Sequence, residues 1–127
     1  MPAHSFEYSI IRVVPRVERE EFLNAGVLLW CPLQDFLRAR IELNHDRLSA
    51  FAPAIDIELI EDHLRCISLI CAGGGEAGPI GKLSQRERFH WLVAPRSSII
   101  QCSSVHSGLC EHPEKALEDI FVKTVQG

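Results

Sequence analysis

The sequence predicts an α+β fold, an antiparallel sheet of about four strands with helices packed on one face. Three observations predict it. The N-terminal third carries aromatic and β-branched residues in runs and alternations of strand length. Helix-spaced apolar stripes follow, the longest being Ile57, Ile60, Leu64, Ile67 and Cys71. The order is three strands, then helix, then strand, then helix, which is the pattern of a sheet with helices laid against it.

Each element has its local reason. Residues 6–14 form the first strand, and Pro15 ends it because proline cannot continue a ladder. Residues 16–20 are a charged connection. Residues 22–31 form a second strand, stopped by Pro32 and apolar without interruption from Ala25 to Cys31. A connection this short predicts that the two strands pair as an antiparallel hairpin. Residues 36–43 alternate, with Leu37, Ala39, Ile41 and Leu43 on one face and Arg38, Arg40 and Glu42 on the other. That is a strand with one face in water. Asp46 is positioned to cap a short helix through Phe51, and Asp56 to cap a longer one ending near Ala72, where the glycines from Gly73 stop it. The stretch from Gly73 to Gly81 reads as a mobile surface loop. Ser84 and Glu87 have capping-box spacing for a helix into Trp91. Residues 97–103 read as a further strand. Pro113 opens a terminal helix whose Leu117, Ile120, Phe121 and Val125 face inward.

A chain of 127 residues is read as a single domain, residues 1–127, and at 46% apolar and 24% charged it has the composition of an ordinary globular protein. No run approaches the roughly 20 apolar residues of a membrane span. Met1 to Ser5 shows no basic patch leading into an apolar core, so no signal peptide is read and a cytoplasmic location is expected. The five cysteines are odd in number and lack Cys-x-x-Cys pairing, which fits small buried hydrophobes in a reducing compartment. A net charge of −4 weighs against a broad nucleic-acid footprint. Arginine nevertheless outnumbers lysine ten to three, which fits anion recognition but is better explained by a GC-rich genome.

Three constellations carry the candidate chemistry. Around the second strand, Arg12, Arg16, Glu20, Glu21 and Asn24 put charges and an amide beside a segment buried on both faces. They form either a polar pocket, with Asn24 orienting a ligand and Arg16 holding an anion, or a structural network. Trp91, Pro95, Arg96, Ser97 and Ser98 place a guanidinium beside hydroxyls and a ring. The alternative there is a core Trp91 with Ser97 capping the backbone. Cys102, His106, Cys110 and His112 supply zinc-competent ligands but lack the paired short-loop spacing of structural zinc sites. His106 beside Gly108 is also a candidate general base. No phosphate-loop, nucleotide-fold glycine, Gly-x-Ser-x-Gly or His-Glu-x-x-His motif occurs. No cofactor is called for.

Four blocks carry a family resemblance: Tyr8 to Pro15, Glu21 to Val27, Trp91 to Ser97, and His106 to Leu109. In residues and order they resemble the bacterial domain-of-unknown-function family 3037, over nearly the whole chain. The resemblance implies no activity. It implies a partner or accessory role, because such proteins are associated with neighbouring HipA-like kinase genes.

Two functional classes stay open. One is a non-enzymatic accessory or protein-interaction domain, with the outer face of strand 36–43 and the loop 73–81 as contact surfaces. The other is an enzyme or binding protein for a small anionic or nucleotide-like ligand, with Arg16, Glu21, Asn24, Arg96, Ser97 and His106 gathered at one end of the sheet. A third, single-stranded nucleic-acid binding through Arg38, Arg40, Arg86 and Arg88 with Trp91, ranks below both. A homo-oligomer is compatible with all three. Convergence of the named side chains on one cleft is the observation that separates the first two.

Overall fold

The structure, a computed structural model, describes residues 3–16, 21–96 and 98–127. Five strands form one antiparallel sheet: β1 (His4–Val13), β2 (Leu23–Cys31), β3 (Phe36–Ile41), β4 (Ile100–Cys102) and β5 (His106–Cys110). The order is β3-β2-β1-β4, with β5 also on β1. β4 lies opposite Ile11 to Val13, and β5 opposite His4 to Tyr8. The two short strands thus share one flank of β1 end to end. Between them Ser103 keeps the ladder continuous. Its N–H donates to the Ile10 carbonyl at 2.8 Å, its hydroxyl accepts from the Ile10 N–H at 2.8 Å, and the buried Ser9 hydroxyl donates to its carbonyl at 2.7 Å.

The α+β class is as the sequence predicts, and the layering is fuller. Helices α1 (His45–Phe51), α2 (Ile57–Ala72) and α3 (Gln85–Val93) lie on one face. Their Leu48, Ile60, Leu64, Ile67, Phe89 and Leu92 pack with Ile11, Val13, Leu28, Trp30 and Leu37 of the sheet. Helix α4 (Pro113–Phe121), extended by one wide turn over Val122–Gln126, lies on the other face. Its Leu117, Phe121 and Val125 pack with Phe6, Ile10, Val27, Leu29 and Phe36. Helices therefore cover both faces, where the sequence pattern placed them on one.

The polar side of β3 meets both water and α4, with Arg38 and Glu42 exposed and Arg40 half-buried. Arg38 and Arg40 stand two residues apart on the strand, about 6.8 Å. Glu114 and Glu118 stand four apart on α4, about 6 Å. The spacings match, and the pairs form: Arg38 to Glu114 at 3.7 Å and Arg40 to Glu118 at 3.0 Å. Arg40 also lies 4.1 Å above the Phe121 ring. The face expected to be a contact surface is thus bordered by the chain's own C-terminal helix, while Arg38 keeps 57% of its side chain exposed.

The helix starts follow their caps. Asp56 accepts from Leu59 N–H, and Ser84 with Glu87 forms a complete capping box. For α1 the cap is Asn44, accepting from Arg47 N–H, and Asp46 sits inside the first turn. The glycine stretch forms short helical turns over Gly75–Lys82, closed by Gly74 N–H on the Gly81 carbonyl at 2.8 Å. Arg88 clamps this region. Its guanidinium donates to the carbonyls of Ile70 (2.9 Å) and Cys71 (2.8 Å), acceptors that the end of α2 leaves unpaired, and to that of Leu83 (3.1 Å).

That clamp has a measurable cost of removal. Arg88→Ala leaves half-buried carbonyls without a donor and lowers unfolding stability by about 1–3 kcal/mol. Arg88→Lys recovers little, because an ammonium lacks the planar fork that spans three carbonyls. Urea denaturation of the three proteins reads the difference. Equal midpoints would show that the clamp is not a stabilising contact.

Candidate functional site

The second strand solves its polar problem with a bulge. Ile11 pairs with Gly26 and Arg12 with Asn24, so Ala25 is the extra residue on β2. Its carbonyl accepts from Glu42 N–H at 2.9 Å. The bulge switches which parity of β2 faces which layer. Leu23 and Ala25 pack toward α1–α3, as Leu28 and Trp30 do, while Val27, Leu29 and Cys31 pack toward α4. Gly26 lets β3 come close here, since a Cβ would meet the Arg40 carbonyl at 2.8 Å.

Asn24 is thereby turned to the α4 side. Its Nδ2 donates to the Thr124 carbonyl at 3.0 Å, holding the last turn of the chain. Its cross-strand neighbour Arg12 stacks 4.1 Å above the Phe22 ring. Arg12 Nε and Asn24 Oδ1 are buried polar atoms without a partner among the described residues, one a donor and one an acceptor.

Arg16 and Glu21 stay together at the rim. With Pro15 they line one side of a cleft of about 460 Å³, whose other wall is Phe51, Ala52, Pro53, Ala54 and Ile55 of the α1–α2 turn. Both charged residues are exposed, and Phe51 retains 38% of its surface. The cleft thus offers two opposite charges facing an apolar wall. Sequence reasoning named Arg16 and Glu21 and missed that wall. The Phe-Ala-Pro-Ala-Ile run was legible as a helix break, but nothing in it points to the first hairpin.

The remaining candidates lie elsewhere. Arg96 is exposed, stacks 4.1 Å over Trp91 and donates to the Trp91 carbonyl. Trp91 is 40% exposed, which corrects its reading as a core residue. Ser97 lies outside the described residues, as does Glu20. His106 opens β5 opposite Tyr8, with the two rings 5.3 Å apart. Arg16 and Glu21 share the lining of this cleft, and Asn24, Arg96 and His106 are not among its lining residues.

The cysteine and histidine set is also spread. Cys102 sits opposite Ile11 and Cys110 opposite His4, about 23 Å apart along β1. Cys102 packs with the α1–α3 layer and Cys110 with the α4 layer. His112 precedes α4 as an exposed residue. Among the described residues no three His, Cys, Asp or Glu side chains gather as a metal set. Burial raises the thiol pKa of both Cys102 and Cys110, opposite to the shift that makes a thiolate ligand.

The arginine-rich alternative for nucleic acid divides as well. Arg38 and Arg40 belong to the α4 face, and Arg88 is bound to backbone carbonyls. Five arginines, Arg12, Arg38, Arg40, Arg86 and Arg96, each lie over an aromatic ring. Guanidinium stacking is a structural use that lysine would serve less well.

Comparison with known proteins adds one finding. The family model described as protein of unknown function (DUF3037) matches residues 8–125. No curated protein and no solved structure matches the chain. No helix among the described residues is long and apolar enough to cross a membrane.

Burial has a pH consequence at Cys71. The thiol pKa is raised from 9.0 to about 12, by burial first, with Arg88 opposing and Cys102 adding. The folded value exceeds the unfolded one, so the stability is fully present below pH 9.0 and is lost as pH rises toward 12. The urea midpoint of the natural chain falls more steeply above pH 9.0 than that of Cys71→Ala. Parallel curves would remove Cys71 as the cause.

Proposed function

The chain belongs to this family of unknown function, and from that premise we propose that it is a non-catalytic binding domain that holds a segment of a partner protein in the rim cleft. The observation that carries the reading is the pairing of Arg16 and Glu21 with the apolar wall from Phe51 to Ile55. A small anion drawn to Arg16 would also meet the carboxylate of Glu21. A peptide segment carries an apolar side chain for the wall and polar groups of both signs for the rim. The cleft volume of about 460 Å³ suits one anchoring side chain with its flanking backbone.

The placement of the other polar residues supports the same reading. Asn24, Arg40, Arg88 and Arg96 are each engaged in holding the fold. The partner class to which the family resemblance points is a HipA-like kinase, and the accessory role is assigned on that basis.

Display of a random peptide library against the immobilised chain tests the proposal. The expected outcome is enrichment of peptides with one aromatic or aliphatic anchor beside an acidic residue. Binding falls at least about tenfold in Phe51→Ser and in Arg16→Glu, as for loss of an anchor residue. Both positions are exposed, so the variants keep the fold. Peptides that bind the double variant as tightly as the natural chain would remove the cleft from the proposal.

A further inference from the structure

Among the described residues the buried side-chain atoms without a partner are Arg12 Nε and Asn24 Oδ1. They belong to one cross-strand pair of β1 and β2. Other polar groups in the interior are met. Ser9 and Ser103 bond each other and the Ile10 N–H, Trp30 Nε1 donates to Gln85, and Arg88 takes its carbonyls. A buried polar atom left unpaired costs free energy, and two on one paired position call for a use outside the fold.

The chemistry of the two atoms is complementary. The Thr124 carbonyl can only accept, so Asn24 Nδ2 is fixed toward it and Oδ1 is left as an acceptor. Arg12 Nε is a donor. Its Nη1 and Nη2 also make no hydrogen bond or ion pair among the described residues, and unlike Nε they are open to solvent. Arg38, Arg40 and Arg65 each have a carboxylate; Arg12 has the Phe22 ring, 4.1 Å from its Cζ. That ring is 47% exposed.

We propose that Arg12 and Asn24 form a binding site for a carboxylate that carries an N–H on the adjoining carbon, the grouping of a peptide C-terminus and of a free N-acyl amino acid. The carboxylate takes the planar fork of Arg12, and the N–H donates to Asn24 Oδ1. Side chains of a cross-strand pair start about 4.5–5.5 Å apart at Cβ, so one ligand residue reaches both. A sulfate offers acceptors alone and sets its oxygens against Oδ1. An ammonium meets the charge of Arg12. Rotation of the exposed Phe22 side chain uncovers one face of the guanidinium, and the ring then offers an apolar contact to the side chain of the ligand. Neither Arg12 nor Asn24 lines the rim cleft, so this site stands or falls apart from the reading proposed for the cleft.

Heteronuclear NMR of the full chain reads the Arg12 Nε–H and Asn24 Nδ2 signals during titration. The probes are N-acetylphenylalanine, a short peptide ending in phenylalanine with a free C-terminus, and the same peptide amidated. Both acids shift the two signals to saturation, and the amidated peptide binds at least about tenfold more weakly, as for loss of a hydrogen bond to a charged group. Arg12→Lys keeps the charge without the fork and weakens the acids by a similar factor. Equal binding of the two acids assigns the site to a small molecule, and binding of the peptide alone assigns it to a protein C-terminus; each carries the proposal. Equal binding of the amidated peptide, unchanged binding in Arg12→Lys, or no saturation up to about 10 mM overturns it. Arg12→Met tests for a purely structural role. It keeps an apolar contact with Phe22 and removes the unpaired donor, so the urea midpoint holds or rises. A midpoint that falls assigns Arg12 to the fold and overturns the site.

Discussion

The bulge at Ala25 is the constraint on which the rest of the structure depends. β2 is buried on both sides over most of its length, so its side chains must alternate correctly between two cores. A regular strand would carry that alternation back to Asn24 and aim the amide into the α1–α3 layer, at a cost of several kcal/mol without a partner. One extra residue reverses the phase. Leu23 and Ala25 enter that layer, and Asn24 meets the Thr124 carbonyl at the far end of the chain. The first hairpin and the last turn are tied by one side chain because the strand is irregular at one residue.

The second tie is electrostatic and geometric at once. α4 docks on β3 because its acidic row and the strand's basic row have nearly equal spacing, while Leu117, Phe121 and Val125 enter the core beside them. Each surface pair contributes modestly, about 0.2–1 kcal/mol. Their larger role is registration. Burial of the three apolar residues supplies most of the attraction, and the charge rows select where along β3 the helix settles.

Much of this was legible in the sequence, and the gaps have physical causes. Strand-length runs, helix-spaced stripes and the Asp56 and Ser84 caps are local signals, and each reports a local preference that the fold keeps. The alternation in residues 36–43 correctly marks a strand, but period-two patterning says only that one face is polar. It does not say whether water or a complementary helix meets that face. β5 escaped because His-Ser-Gly-Leu-Cys lacks β-branched and aromatic residues. Its pairing is imposed by β1 rather than by its own propensity. Of the candidate site, Arg16 and Glu21 were legible as charges on a hairpin connection. The wall opposite them was not, because its contribution depends on packing between segments some thirty positions apart.

Function is harder to read here for a related reason. Residues that most often advertise a site, namely buried amides, arginines and exposed aromatics, are largely used by this fold to hold itself together. Asn24 closes the chain end, Arg88 finishes α2, and Arg12, Arg38, Arg40, Arg86 and Arg96 lie on rings. A sequence motif cannot distinguish a guanidinium aimed at a ligand from one lying on a phenyl face, since both need the same residue. Beside these structural uses stand a rim cleft bordered by Arg16 and Glu21 and an uncharged strand, β5, with open backbone groups. Both are features of recognition. Neither requires a reactive side chain.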